Sequence, residues 1–99
     1  MPFTHGPYHF TAQGINVMYE IGAVYGLARP TLADPNRYTI LYVGKAVNLR
    51  KRLLEHFNNP PARGVTHFFA DAYGTDAART QREFALIQEF KPVGNTLLK

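Results

Sequence analysis

Tyr42-Val-Gly-Lys-Ala-Val-Asn-Leu-Arg-Lys-Arg-Leu-Leu-Glu-His-Phe57 decides the fold, because it passes from strand to helix in a few residues. Upstream, Tyr38–Val43 is rich in Val, Ile, Tyr and Leu and reads as a strand that Gly44 breaks. From about Val47 to Phe57, Leu49, Leu53 and Phe57 recur every fourth position and predict the buried stripe of a helix. Asn58-Asn59-Pro60-Pro61 stops that helix. Lys45, Asn48, Arg52 and His56 project along an adjacent arc, so one edge offers two cations and an imidazole. That edge begins at a glycine-containing strand-to-helix turn, whose free backbone N–H groups favour phosphate. The plain alternative is a solvated basic face. A nucleotide-binding P-loop is excluded, since no Ser or Thr follows Lys45 and position 39 is Thr where glycine is needed.

Working outward, Ala23–Leu27 reads as a strand paired with Tyr38–Val43. The loop between them carries two prolines, which predicts an antiparallel hairpin with a floppy tip. Thr66–Tyr73 is a third strand, and Gly74-Thr75-Asp76 supplies a turn and an N-cap. A second helix follows over residues 76–91 and ends at Pro92. Residues 1–9, rich in Pro, Gly and His, are expected to be loosely ordered, and a short helix near 10–20 is interrupted by Gly14 and Asn16. The expectation is one α+β domain over 1–99, with its core at about 22–95 and an N-terminal extension at 1–21. Its order β-β-α-β-α gives a three-stranded antiparallel sheet flanked by helices.

The chain has 99 residues, enough for one modest core, and 45% of them are hydrophobic. It lacks a signal-peptide pattern at the start and any apolar run approaching the roughly 18 residues of a membrane helix, so no membrane association is expected. With no cysteine, thiolate metal sites and cysteine nucleophiles are excluded, which is compatible with a cytoplasmic location. The net charge of +4 suits a polyanionic partner. Arg50, Lys51 and Arg52 are contiguous, and Arg79 and Arg82 sit in the second helix.

Glu83 is the anomaly of that second helix. At about 100° per residue, Thr80, Phe84, Leu86, Ile87 and Phe90 fall on one face with Glu83 at its centre. Desolvating a carboxylate there is costly unless a cation compensates. One candidate is Arg79, a turn earlier, although Arg before Glu is the weaker orientation. The other is a hard cation such as Mg²⁺, held by one carboxylate, water and substrate phosphate. Tyr25 and Tyr42 lie on the paired strands beside the Lys45/Arg52 edge, where two cations would stabilise a phenolate able to hold or deprotonate water. His5, His9 and His67 form no pair with zinc spacing, so zinc is not expected.

Taken together these residues resemble the GIY-YIG nuclease family. Ala23-Val24-Tyr25 resembles the first signature tripeptide and Tyr42-Val43-Gly44 the second. The run 42–57 is similar to that in the nuclease domain of bacterial excision-repair endonucleases. Glu83-Phe-Ala-Leu-Ile resembles the metal-binding segment, and Pro92-Val-Gly-Asn95 the closing Pro-x-x-Asn. The resemblance spans roughly residues 22–95. It implies that Tyr25 is a general base or water-positioning hydroxyl supported by Tyr42. Lys45 would lower the tyrosine pKa or touch phosphate, and Arg52 would stabilise the pentacoordinate phosphate. His56 falls where several members place a functional His or Tyr. Glu83 would hold one divalent metal, Mg²⁺ or Mn²⁺, and Asn95 would orient the site by hydrogen bonding. The chain departs from the family in having Ala23 at the start of the first tripeptide and a long loop between the tripeptides.

The expectation is a metal-dependent DNA endonuclease using one metal and a tyrosine base, as a monomer or homodimer, in repair, restriction or a related role. Duplex or branched DNA would be contacted by Lys45, Asn48, Arg50 and Lys51, with Arg29 and Arg37 reaching it from the long loop. The alternative is a non-catalytic nucleic-acid-binding module of the same fold.

Overall fold

Gly44 does not end its strand. In the computed structural model, which describes residues 3–97 and the side chains of residues 3–95, that strand runs on through Lys45 to Ala46. The elements are β1 (Tyr8–His9), α1 (Ala12–Asn16), β2 (Ala23–Pro30), β3 (Tyr38–Ala46), α2 (Leu49–Asn58), β4 (His67–Ala72), α3 (Asp76–Phe90) and α4 (Val93–Leu97). They build an antiparallel sheet flanked by helices, as the sequence predicts, but with four strands in the order β1-β4-β2-β3.

The additional strand lies in the segment expected to be loosely ordered. Tyr8 pairs with Phe68 and His9 with His67. Phe3 is buried against Phe69, and the main-chain N–H groups of Thr4 and His5 donate to the Asp71 carboxylate. A two-residue strand leaves no periodic signal, so its order comes from partners distant in sequence. The hairpin tip is likewise tied down. Thr31 donates through its hydroxyl to the Asp34 carbonyl, and the Thr31 N–H donates to the carbonyl of Arg37, both within 2.8 Å.

The β2–β3 pairing sets the faces. Leu27 pairs with Tyr42 but Ala28 pairs with Ile40, so Leu41 is a bulge. Because side chains alternate across a strand, the extra residue inverts the phase of β3. Tyr42 therefore joins Tyr25, Leu27, Leu53 and Phe68 on the α1/α2 face, while Ile40 and Val43 join Val24, Phe69 and Leu86 under α3.

Helix α2 starts at Leu49, with the Asn48 side chain accepting from the Lys51 N–H. Its buried residues are Leu49, Leu53 and His56, and Phe57 is partly exposed. Strict recurrence every fourth residue drifts by about 40° per step around a helix of 3.6 residues per turn, so the stripe turns onto position 56. Helix α3 is capped by Thr75 of the expected Gly74-Thr75-Asp76 turn, and Lys91 closes it in the left-handed conformation before Pro92. On α3 the expected apolar face also needs correction. Phe84 is 65% exposed and Thr80 is exposed, whereas Arg79 is buried beside Leu86. Glu83 is half-buried.

Candidate active site

Tyr25 stands at the centre, fully buried, with Gly44 as its direct cross-strand neighbour. A Cβ on Gly44 would collide with the Tyr25 hydroxyl and its ring carbon, and would lie 3.0 Å from Tyr42 Cε2. Glycine is therefore required for a packing reason: the phenol crosses the space that any side chain at 44 would fill. The Tyr25 hydroxyl is 2.6 Å from His56 Nε2, and the Tyr25 and Tyr42 rings lie 6.3 Å apart.

The electrostatics of this pair correct an expectation. Burial pushes the Tyr25 phenol well above its ordinary value; Tyr42 and Glu83 add to that, while hydrogen bonding and charge from Arg52 oppose it. The resting group is thus a phenol, not a stabilised phenolate, because desolvation outweighs the one cation that reaches it. Burial, then the Arg52 charge, pushes the His56 imidazole down to about 4, against an opposing contribution from Glu55. A neutral phenol and a neutral imidazole share one hydrogen bond.

Arg52 lies in front of them. Its guanidinium donates to Glu55 Oε1 at 3.0 Å, and the bonds to Glu55 and Tyr25 hold it firmly protonated. It remains about half exposed, open to an anionic ligand.

Lys45 and Glu83 approach from the other side of the sheet. Lys45 is a strand residue opposite Val24 and not a helix residue; it lines an open hollow with Asn48, Lys51 and Arg52 at the start of α2. It also reaches α3, where Nζ donates to Thr80 Oγ1 at 2.6 Å and to Asp76 Oδ1 at 3.4 Å. Burial raises the Glu83 carboxyl above the usual range, with the Lys45 charge opposing. Arg79 turns away from Glu83. It donates to the Tyr73 carbonyl at 2.8 Å, packed so closely on Gly22 that a Cβ there would strike it. Of the two partners open to Glu83 in the sequence, the arginine is therefore engaged elsewhere. Edge strand β3 with Gly44 separates the two groups, and their charges act on each other across it: Glu83 raises Tyr25.

Asn95 holds this edge from outside. Its Oδ1 accepts from the Val43 N–H and its Nδ2 donates to the Val43 carbonyl, both at 2.8 Å. One side chain thus satisfies the two outward main-chain groups of the residue between Tyr42 and Gly44, as a neighbouring strand would.

The remaining basic residues spread more widely. Asn48 caps α2 and donates to Glu20, and Lys51 is exposed beside Arg52. Arg50 turns under α1 and donates to the Met18 carbonyl at 2.8 Å. Arg29 and Arg37 are exposed at the far end of the hairpin, Arg37 beside Asp34 at 3.7 Å. The sequence reading considered Arg79 only as a partner for Glu83, not as the buried donor to the Tyr73 carbonyl that it is, and it overlooked Arg63, an isolated loop residue with no pattern to mark it.

The site suits a hard divalent cation held by one carboxylate. Glu83 is a half-buried carboxylate without an ion pair among the described residues, under the charge of Lys45. No three His, Cys, Asp or Glu side chains converge among the described residues, so water and substrate oxygens would complete the shell, as Mg²⁺ prefers.

Sheet order, flanking helices and this edge-strand arrangement define a GIY-YIG nuclease-like fold. Among solved structures, the chain is similar to the GIY-YIG N-terminal endonuclease domain of UvrC from Thermotoga maritima bound to its catalytic magnesium. The TM-score is 0.66 at 19% identity, over 83% of this chain and 91% of that one. An asparagine-to-alanine mutant of the same domain, bound to its catalytic divalent cation, gives 0.65 at 19% identity over 83% and 90%. No family model and no curated protein matches the sequence. Among the described residues no helix is long and apolar enough to cross a membrane.

Proposed function

We propose that this protein is a metal-dependent endonuclease that hydrolyses phosphodiester bonds in DNA. The observation that carries the reading is the buried Tyr25–His56 pair packed on Gly44 with the Arg52 guanidinium acting on it, and Glu83, under the charge of Lys45, acting on Tyr25 from across the strand. Likeness to the UvrC endonuclease domain agrees with it.

In this reading the scissile phosphate rests against Arg52, whose delocalised charge neutralises the oxygens that become more negative in the transition state. Tyr25 holds the attacking water through its hydroxyl. The His56 nitrogen 2.6 Å away can accept the phenol proton in a hydrogen bond, which turns the lone pairs of the Tyr25 oxygen toward the water and lets it orient that water for attack. That route does not need a phenolate at rest. Tyr42 walls the phenol on the α2 side, and Asn95 keeps the strand carrying Tyr42 and Gly44 in place. Glu83 would hold one divalent ion, Mg²⁺ or Mn²⁺, and Lys45 limits the charge there. When bound, such an ion stabilises charge on the leaving oxygen.

The test is incubation with supercoiled plasmid and Mg²⁺, with and without chelator, beside Glu83→Ala. Metal-dependent nicking that Glu83→Ala abolishes is expected. No nicking on duplex, branched or single-stranded DNA would overturn the reading. Salt-sensitive binding that survives Glu83→Ala without any cleavage by the wild type would favour a non-catalytic nucleic-acid module instead.

A further inference from the structure

The geometry points to a second phosphate-binding locus, formed by Arg29 and Arg63, that holds the DNA backbone flanking the scissile phosphate; it deepens the endonuclease reading and rests on its nucleic-acid substrate. Two open hollows meet at Pro60 and Pro61. One is lined by Tyr42, Arg52 and His56; the other, about 670 Å³, by Leu41, Val93, Arg29 and Arg63. They form one groove beside β3, with the candidate site at one end and two arginines at the other.

Three features fit a polyanion. Arg29, Arg63 and Lys51 are exposed, and among the described residues their side chains make no hydrogen bond or ion pair, unlike Arg50 and Arg52. The arginine end is built: the Arg29 stem passes Gly64, the Thr66 N–H donates to the Ala28 carbonyl, and Gly64 adopts φ +81 to turn the loop. The span also matches. Arg29 pairs with Thr39, five residues along β3 from Gly44 at the candidate site, or roughly 16 Å at 3.3 Å per residue. One strand of a duplex places a phosphate about every 3.4 Å along its axis, so the groove accommodates about five nucleotides on one side of the cut. The Leu41 bulge and the paired prolines give the groove an apolar floor against which sugars can pack.

The test is binding to a fluorescent duplex of about two helical turns, in chelator so that nothing is cut, as a function of salt. Arg29→Ala/Arg63→Ala is expected to reduce the slope of log affinity against log salt by about 2, as loss of two phosphate contacts requires. Arg29→Lys/Arg63→Lys should keep the wild-type slope. On progressively shorter duplexes, the wild-type slope should fall to that of the alanine variant once the groove is no longer spanned. An unchanged slope in the alanine variant on the long duplex would overturn this inference alone, because wild-type binding and nicking would stand. Absence of salt-dependent binding by the wild type would overturn it together with the nucleic-acid reading.

Discussion

The Tyr25 phenol occupies the volume that a side chain at Gly44 would need, so the two residues fit only as a pair. Gly44→Ala forces the ring away from His56 or bends the edge strand. We expect a loss of about 1–3 kcal/mol in stability, the usual cost of overpacking, seen in denaturant unfolding. Cleavage should fall further than stability. Tyr25→Phe makes the contrast, since it retains the ring and removes only the hydroxyl, and should fold while losing most cleavage.

His56 ties stability to pH. Its folded pKa of about 4 lies below the ordinary 6.5, so the unfolded chain binds the proton first as pH falls. The contribution is fully present above pH 6.5 and is lost between there and about 4, amounting to on the order of 3 kcal/mol. The Asp71 carboxyl adds a loss at lower pH. Burial works to raise it, but the Thr4 N–H and His5 hold it below its ordinary value. Urea unfolding of wild type and His56→Gln between pH 7 and 4.5 should show a shallower decline in the variant; parallel curves would refute the assignment.

Glu83→Gln separates charge from shape. Burial raises the Glu83 pKa, so its ionised form opposes folding at neutral pH. In chelator the glutamine variant should match or slightly exceed the wild type in melting temperature. With Mg²⁺ only the wild type should gain, because a ligand of the native state stabilises by mass action. Cleavage should be lost. Strong destabilisation of Glu83→Gln in chelator would instead argue for a structural ion pair.

Arg52 is half exposed, and its bond to Glu55 joins neighbouring turns of one helix. Arg52→Ala should therefore change stability by under about 1 kcal/mol. Single-turnover cleavage should fall by about 10² to 10³, as when one donor to a transition-state oxyanion is removed. Arg52→Lys should not restore it, because a point charge replaces a planar fork.

Asn95→Ala leaves the Val43 N–H and carbonyl without their side-chain partner. The expected cost is about 1–3 kcal/mol, with faster hydrogen exchange at the Val43 amide. Asn95→Asp should preserve the bond from the Val43 N–H and put a second oxygen against the Val43 carbonyl, so it should be no better than alanine.

Local chemistry determined most of the architecture in advance. The Val-, Ile- and Tyr-rich strands, helix periodicity, proline stops and signature residues around Tyr25, Tyr42, Arg52, Glu83 and Asn95 could all be read from neighbours in the chain. So could the anomaly of Glu83, since periodicity alone puts a carboxylate among Leu86, Ile87 and Phe90. What the tertiary structure decided depended on distant partners. Strand β1 exists because Phe68 and His67 pair with it, and the Leu41 bulge sets which face Tyr42 joins. Lys45 crosses to α3 because Gly44 lies within the strand rather than at its end. Arg79 goes to the Tyr73 carbonyl over Gly22, and Tyr25 remains a phenol because burial outweighs Arg52. A sequence displays which charges and rings are available, but their desolvation and pairing are set by packing, and that competition decides the chemistry at Gly44.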